Sequence, residues 1–197
     1  MTFQALENAM QGLNLADEGF VVTKAATISS RDGSVPFPKA NTRGGKAGSE
    51  TSGLDSCKGD KCEKVPMFSL QTYVDKFVKS QGPINILSID VEGFDFDVLF
   101  GAGTVLDRTQ YLEFEYHAIG TWVKYHLADV VGLLDGKGFT CYWAGKNRLW
   151  RITGCLHEIY ATAHGWSNVA CVHRSYTKLA KSMESKFLDG IQVTQPQ

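Results

Sequence analysis

Apolar residues recur along this chain in two rhythms, and the switch between them divides it. Between positions 3 and 13, Phe3, Leu6, Met10 and Leu13 fall at helical spacing. The run GFVVTKAATI at 19–28 is rich in β-branched residues, so helix then strand is expected. The tetrapeptide SRDG at 30–33 carries the Asp-Gly signature of a tight turn and leads into SVPFP at 34–38, whose prolines suit a strand end. A hairpin is the simplest expectation there. From 39 to 64, Gly, Ser, Thr, Lys and Asp dominate with almost no apolar residue. Such a stretch cannot pack and is too long for an ordinary connection, so a flexible polar excursion, a lid in form, is expected.

Beyond it the rhythm becomes regular. The pattern predicts a helix over 70–78, a buried strand over 84–91, a helix over 94–100, a strand over 111–116 and a helix over 122–134. FTCYWAG, RLWRI and NVACVHR are strand-like, and SYTKLAKSMESKFL closes the pattern as a helix. Strands alternating with helices imply an α/β fold: a mostly parallel sheet with helices on both faces, antiparallel strands at its edge, and ligand sites beyond the carboxyl ends of the strands.

The composition narrows the function classes. With 197 residues, 43% hydrophobic and 21% charged, the chain is expected to form one domain over 1–197 around one core. A net charge of -1 without a long basic run argues against nucleic acid as the main partner. No stretch is apolar enough to span a bilayer, and MTFQALENAM lacks the layout of an export signal, so no membrane is expected and the cytoplasm is the default. Of five cysteines, Cys141, Cys155 and Cys171 sit in apolar runs and read as buried thiols. Cys57 and Cys62 lie in the polar loop SCKGDKCEK, where two free thiols are the first reading, a local disulfide the second and zinc the third, because no nearby ligands complete a zinc site.

Two segments carry chemistry. In INILSIDVEGFDFDVLFGA, 84–102, an apolar strand ends in Asp90, Val91, Glu92 and Gly93, which puts two carboxylates at the sheet edge and a glycine at the turn into the next helix. The plainer reading is that the acids only cap that helix. In YLEFEYHAIG, 111–120, alternation places Leu112, Phe114 and Tyr116 on one face and Glu113, Glu115 and His117 on the other. Taken alone, Glu115 and His117 would pass for a solvated pair. Two neighbouring parallel strands that both end in carboxylates, one adding a histidine, build a polar site with a base suited to neutral pH.

The segment SIDVEGFDFDVLFGA, preceded by FSLQTYVDKF and followed by YLEFEYH, resembles the pattern of the FkbM methyltransferases: a helix with "sLD-y", a strand ending "iDvEG", a helix ending "l-Ga" and a strand ending "E-H". FVVTKAATISSRDGSVPFP is similar to the family's "v-naAvs---G-v-f", with Ala25 and Ala26 at its small positions. The resemblance runs from about Phe3 to His117. It implies a Rossmann-like enzyme that moves the methyl group of S-adenosylmethionine to a hydroxyl oxygen of a sugar, polyketide or related small-molecule acceptor. It puts Asp90 and Glu92 at the family's "D-E" positions and Glu115 and His117 at its "E-H" positions. His117 or Glu92 is then the base, Asp90 an orienting carboxylate, and Asp90, Gly93 and Ala26 the cofactor contacts. A metal-free reaction ranks above a divalent cation on Asp90, Glu92 and Glu115.

The sequence departs from that pattern at its start. The strand, glycine-rich turn and acid-ended strand that hold the cofactor would precede Met1, and the glycines at 44, 45 and 48 lie in a polar loop and do not replace them. The expectation is an N-terminally truncated domain that binds cofactor weakly alone and can pair an open sheet edge with a second copy. Two readings compete: a non-catalytic relative, and a metal-dependent sugar-nucleotide transferase using Asp95 and Asp97, which a helix would point apart. A hydrolase is disfavoured, since no G-x-S-x-G elbow is present and Cys155 with His157 has no third group.

Overall fold

The structure, a computed structural model, describes residues 27–38, 59–78, 80–162, 165 and 167–192, together with Asn8 and Gly12. The helix expected at 3–13, most of the strand at 19–28 and the excursion from 39 to 58 fall outside these residues. The described strands are β1 (Thr27–Ser29), β2 (Gly33–Pro38), β3 (Cys62–Ser69), β4 (Ile84–Ile89), β5 (Thr109–Tyr116), β6 (Phe139–Ala144), β7 (Leu149–Arg151) and β8 (Ser167–His173). The α-helices are α1 (Leu70–Phe77), α2 (Asp95–Phe100), α3 (Leu127–Gly136), α4 (Glu158–Ala161) and α5 (Thr177–Gln192).

β1, β3 and β2 form a small sheet in that order, with β1 parallel and β2 antiparallel to β3. This corrects the expected hairpin. The Asp-Gly tetrapeptide does not pair β1 with β2, because β3 lies between them. Asp32 instead accepts hydrogen bonds from Ser69 N at 2.9 Å and Thr72 Oγ1 at 3.0 Å at the start of α1, where Ser69 is the N-cap. The Ser69 N–H holds the Asp32 carboxyl below its ordinary range. β3 also shortens the expected excursion, since residues 62–64 belong to the strand.

The larger sheet has the order β4-β5-β8-β6-β7. Only β4 and β5 pair in parallel, while β5–β8, β6–β8 and β6–β7 are antiparallel. The fold is α/β, but the mostly parallel sheet read from the alternation is not found. The reason is topological. β4, β5 and β6 run the same way, and β8, arriving last, inserts against the grain between β5 and β6. Helix–strand alternation reports successive elements and is blind to such an insertion.

One face of this sheet carries the main core, where Leu112, Phe114 and Tyr116 meet Trp122, Leu127, Val130 and Leu134, all 2% exposed or less. The other face packs Tyr142, Ala170 and Val172 against Met183 of α5. α5 is pinned there by Glu184, which accepts from the Tyr142 hydroxyl at 2.7 Å and from Arg151 at 3.1 Å. The helix expected at 122–134 is broken into a 3-10 turn, Gly120–Val123, and α3, because buried Trp122 and buried Leu127 lie on separate elements.

The cysteine reading also changes. Cys141 and Cys171 are directly opposed on β6 and β8 and form a buried disulfide. Cys155 is free but exposed, in a turn before α4. Cys62 is disulfide-bonded, which rules it out as a free thiol or zinc ligand.

Candidate active site

The apolar strand β4 is followed by a sharp turn because two successive residues take left-handed backbone, Glu92 at φ 52° and Gly93 at φ 91°. Glycine adopts this without cost, whereas glutamate does so rarely, and strain of this kind gathers at functional sites. Glu92 is the one non-glycine residue with positive φ among the described residues. Its side chain is exposed, as is that of Asp90.

What holds the turn is a second glycine loop. Gly93 O accepts from Thr121 N at 2.8 Å and from Thr121 Oγ1 at 3.0 Å. A Cβ on Gly93 would lie 2.7 Å from Ile119 O, and one on Gly120, at φ 64°, would collide with Gly93 O. The turn after β4 and the turn after β5 are thus pressed back to back at bare backbone. Gly93, expected to touch the cofactor, has no room for a side chain against Ile119. Ala26, the other small residue expected there, lies outside the described residues.

The parallel register pairs Ile89 with Phe114, so Asp90 and Glu115 come next in the same row. All four expected residues lie at this one edge, but not on equal terms. His117 is 1% exposed, and consecutive Tyr116 and His117 are both buried because the alternation of β5 ends where the chain folds onto Gly93. His117 therefore lies beneath the surface of this edge, behind the exposed Asp90 and Glu92. Its Nδ1 accepts from Ile119 N at 3.3 Å, which leaves the hydrogen on Nε2, 3.5 Å from Glu115 Oε2.

The residue under-read from sequence is Asp95. It opens α2, is fully buried, and accepts from Glu115 N at 3.3 Å. Its Oδ2 has no hydrogen-bond partner. Burial pushes its carboxyl up to about 6, more than the N–H groups of Glu115, Asp95 and Gly93 pull it down, and the Asp90 charge adds to the rise. The signal was available, since an acid at the first position of a helix after a glycine turn points back at the strand ends. Asp97 leaves in another direction, accepting from Ser30 Oγ at 3.4 Å. That divergence removes the acid-x-acid metal site. Nor are three His, Cys, Asp or Glu side chains grouped as metal ligands among the described residues. Cys155 and His157 are not on a strand, since His157 caps α4.

No significant match exists among curated proteins or among solved structures. A sequence model of the methyltransferase FkbM domain does match, over residues 5–141, which include β1 to β5, both glycine turns and every residue of the carboxylate edge. The chain belongs to the FkbM methyltransferase family.

Proposed function

We propose that this protein transfers the methyl group of S-adenosylmethionine to a hydroxyl oxygen of a small-molecule acceptor, at the edge where β4 and β5 end. The observation that carries the reading is Glu92, exposed on left-handed backbone beside Asp90 and fixed by the Gly93–Gly120 contact to the turn that holds Glu115 and His117. The described residues fit part of such a cofactor. Solvent-facing carboxylates at Asp90 and Glu92 suit a cationic group with hydroxyls, and Asp90, at the strand tip, is the residue that would hold it. When bound, the cofactor supplies a methyl carbon already activated by its sulfonium.

The chain's own part is alignment and proton removal. Glu92 takes the acceptor's hydroxyl proton, since it is a carboxylate at this edge that is both exposed and conformationally fixed. Glu115, steadied by His117 and by the backbone bond to Asp95, bounds the site on the β5 side. Asp90→Asn should weaken cofactor affinity about tenfold or more by calorimetry while leaving the thermal melt unchanged. Unchanged affinity would remove Asp90 from the site.

A further inference from the structure

The sheet face covered by α5 holds a cavity that methyl transfer does not use. It measures about 300 Å³, with Thr140 and Arg151 on its sheet wall, Lys181 and Glu184 on its helix wall, and Arg174 beside them. Alternation puts Thr140 on the face of Tyr142, which packs against Met183 of α5 and stands opposite Arg151 on β7. Thr140 lies near the start of β6, whereas Ala144 at its other end shares Asn168 as a register partner with Glu115. The cavity is therefore separate from the edge where β4 and β5 end.

We propose that this cavity binds the phosphate group of a small phosphomonoester. Three cations, Arg151, Arg174 and Lys181, meet one carboxylate, Glu184, on its lining. Both oxygens of Glu184 are engaged, by the Tyr142 hydroxyl at 2.7 Å and by Arg151 Nη1 at 3.1 Å. The guanidiniums are held in place: Arg151 Nε donates to Thr153 O at 3.1 Å, and Arg174 Nη1 donates to Asp135 Oδ1 at 2.7 Å and Phe139 O at 2.6 Å. Each keeps N–H donors beyond those bonds. Asp135 offsets the charge of Arg174, but Lys181 forms no ion pair among the described residues and leaves the cavity cationic. Fixed forks suit a tetrahedral oxyanion, and little ordering remains to oppose its binding. The sign that a ligand belongs here is Thr140. It is 8% exposed, and its hydroxyl has no hydrogen-bond partner among the described residues. The buried Thr109 and Thr153 use theirs, on Val105 O and Cys141 N, at 2.8 Å each. An unpaired hydroxyl in the interior is costly, and this one opens on the cavity, where an oxyanion supplies the acceptor. Thr177 joins the lining from the first turn of α5, which carries no acid and adds bare N–H groups. A phosphomonoester, with about −1.5 to −2 charges at pH 7, matches the cationic surplus better than a singly charged anion.

The test is calorimetry on the full chain with methyl phosphate, methyl sulfate and acetate at one ionic strength. Methyl phosphate is expected to bind at least about fivefold more tightly than either of the others. Thr140→Val removes a hydroxyl that no described protein group uses. Its thermal melt without ligand should equal or exceed that of the parent, while methyl phosphate affinity falls at least about fivefold. Lys181→Gln, at an exposed side chain, should weaken binding to a similar extent and keeps the test open should the valine variant fail to fold. Methyl phosphate held no more tightly than methyl sulfate or acetate, or an affinity indifferent to both substitutions, would overturn the proposal.

Discussion

Asp95 separates what a residue does for stability from what it does for a site. Its carboxyl is raised from 3.8 to about 6 in the fold. The folded chain therefore holds a proton that the unfolded chain releases from about pH 4 upward. Stability from this group is full below pH 4 and is lost as the pH rises through 6, by on the order of 2–3 kcal/mol. Asp95→Asn keeps an acceptor for Glu115 N and carries no charge. Thermal melts should show the variant more stable than the parent at pH 8 and indistinguishable at pH 4, with lower methyl transfer. A variant less stable than the parent at pH 8 would mean that Asp95 serves the fold. Individual acids were legible in the sequence because each stands at the end of an apolar strand. The burial of His117 was not, since it depends on where the chain goes after Tyr116.

At the level of elements, the two glycine turns and the β6–β8 pair set the geometry of the edge. Gly93→Ala and Gly120→Ala each push a methyl group into opposing backbone at positive φ. Either should cost more than about 2 kcal/mol in denaturant unfolding, whereas a similar loss would not follow from Gly132→Ala, where the space is open. The Cys141–Cys171 disulfide closes a loop of 30 residues. Reducing it, or replacing both cysteines by alanine, should lower stability by about 3 kcal/mol, read as a lower melting temperature. No helix among the described residues is long and apolar enough to cross a membrane. The helices and most strands were legible because hydrophobic period marks each one locally. Pairing was not: β3 between β1 and β2, and β8 between β5 and β6, are long-range choices that leave no mark in period.

For the whole molecule, β4 is the edge of the larger sheet among the described strands, and Ile86 on it is 68% exposed. An open parallel edge with an exposed isoleucine is a template for another strand. We propose that a second copy uses it. Sedimentation should show association at micromolar concentration that Ile86→Lys abolishes, and a monomer in both would refute it. The α/β class and the common edge of the site followed from order along the chain. The mixed pairing of the sheet comes from β8, inserted between β5 and β6, and from β7, antiparallel to β6. Methyl transfer at the joined ends of β4 and β5 is tested by following labelled methyl from S-adenosylmethionine to a panel of small hydroxyl acceptors in the presence of this protein. The product should carry a methyl ether, and turnover should fall at least about 100-fold in Glu92→Gln while acceptor binding holds. No labelled product, or equal turnover in Glu92→Gln, would contradict it.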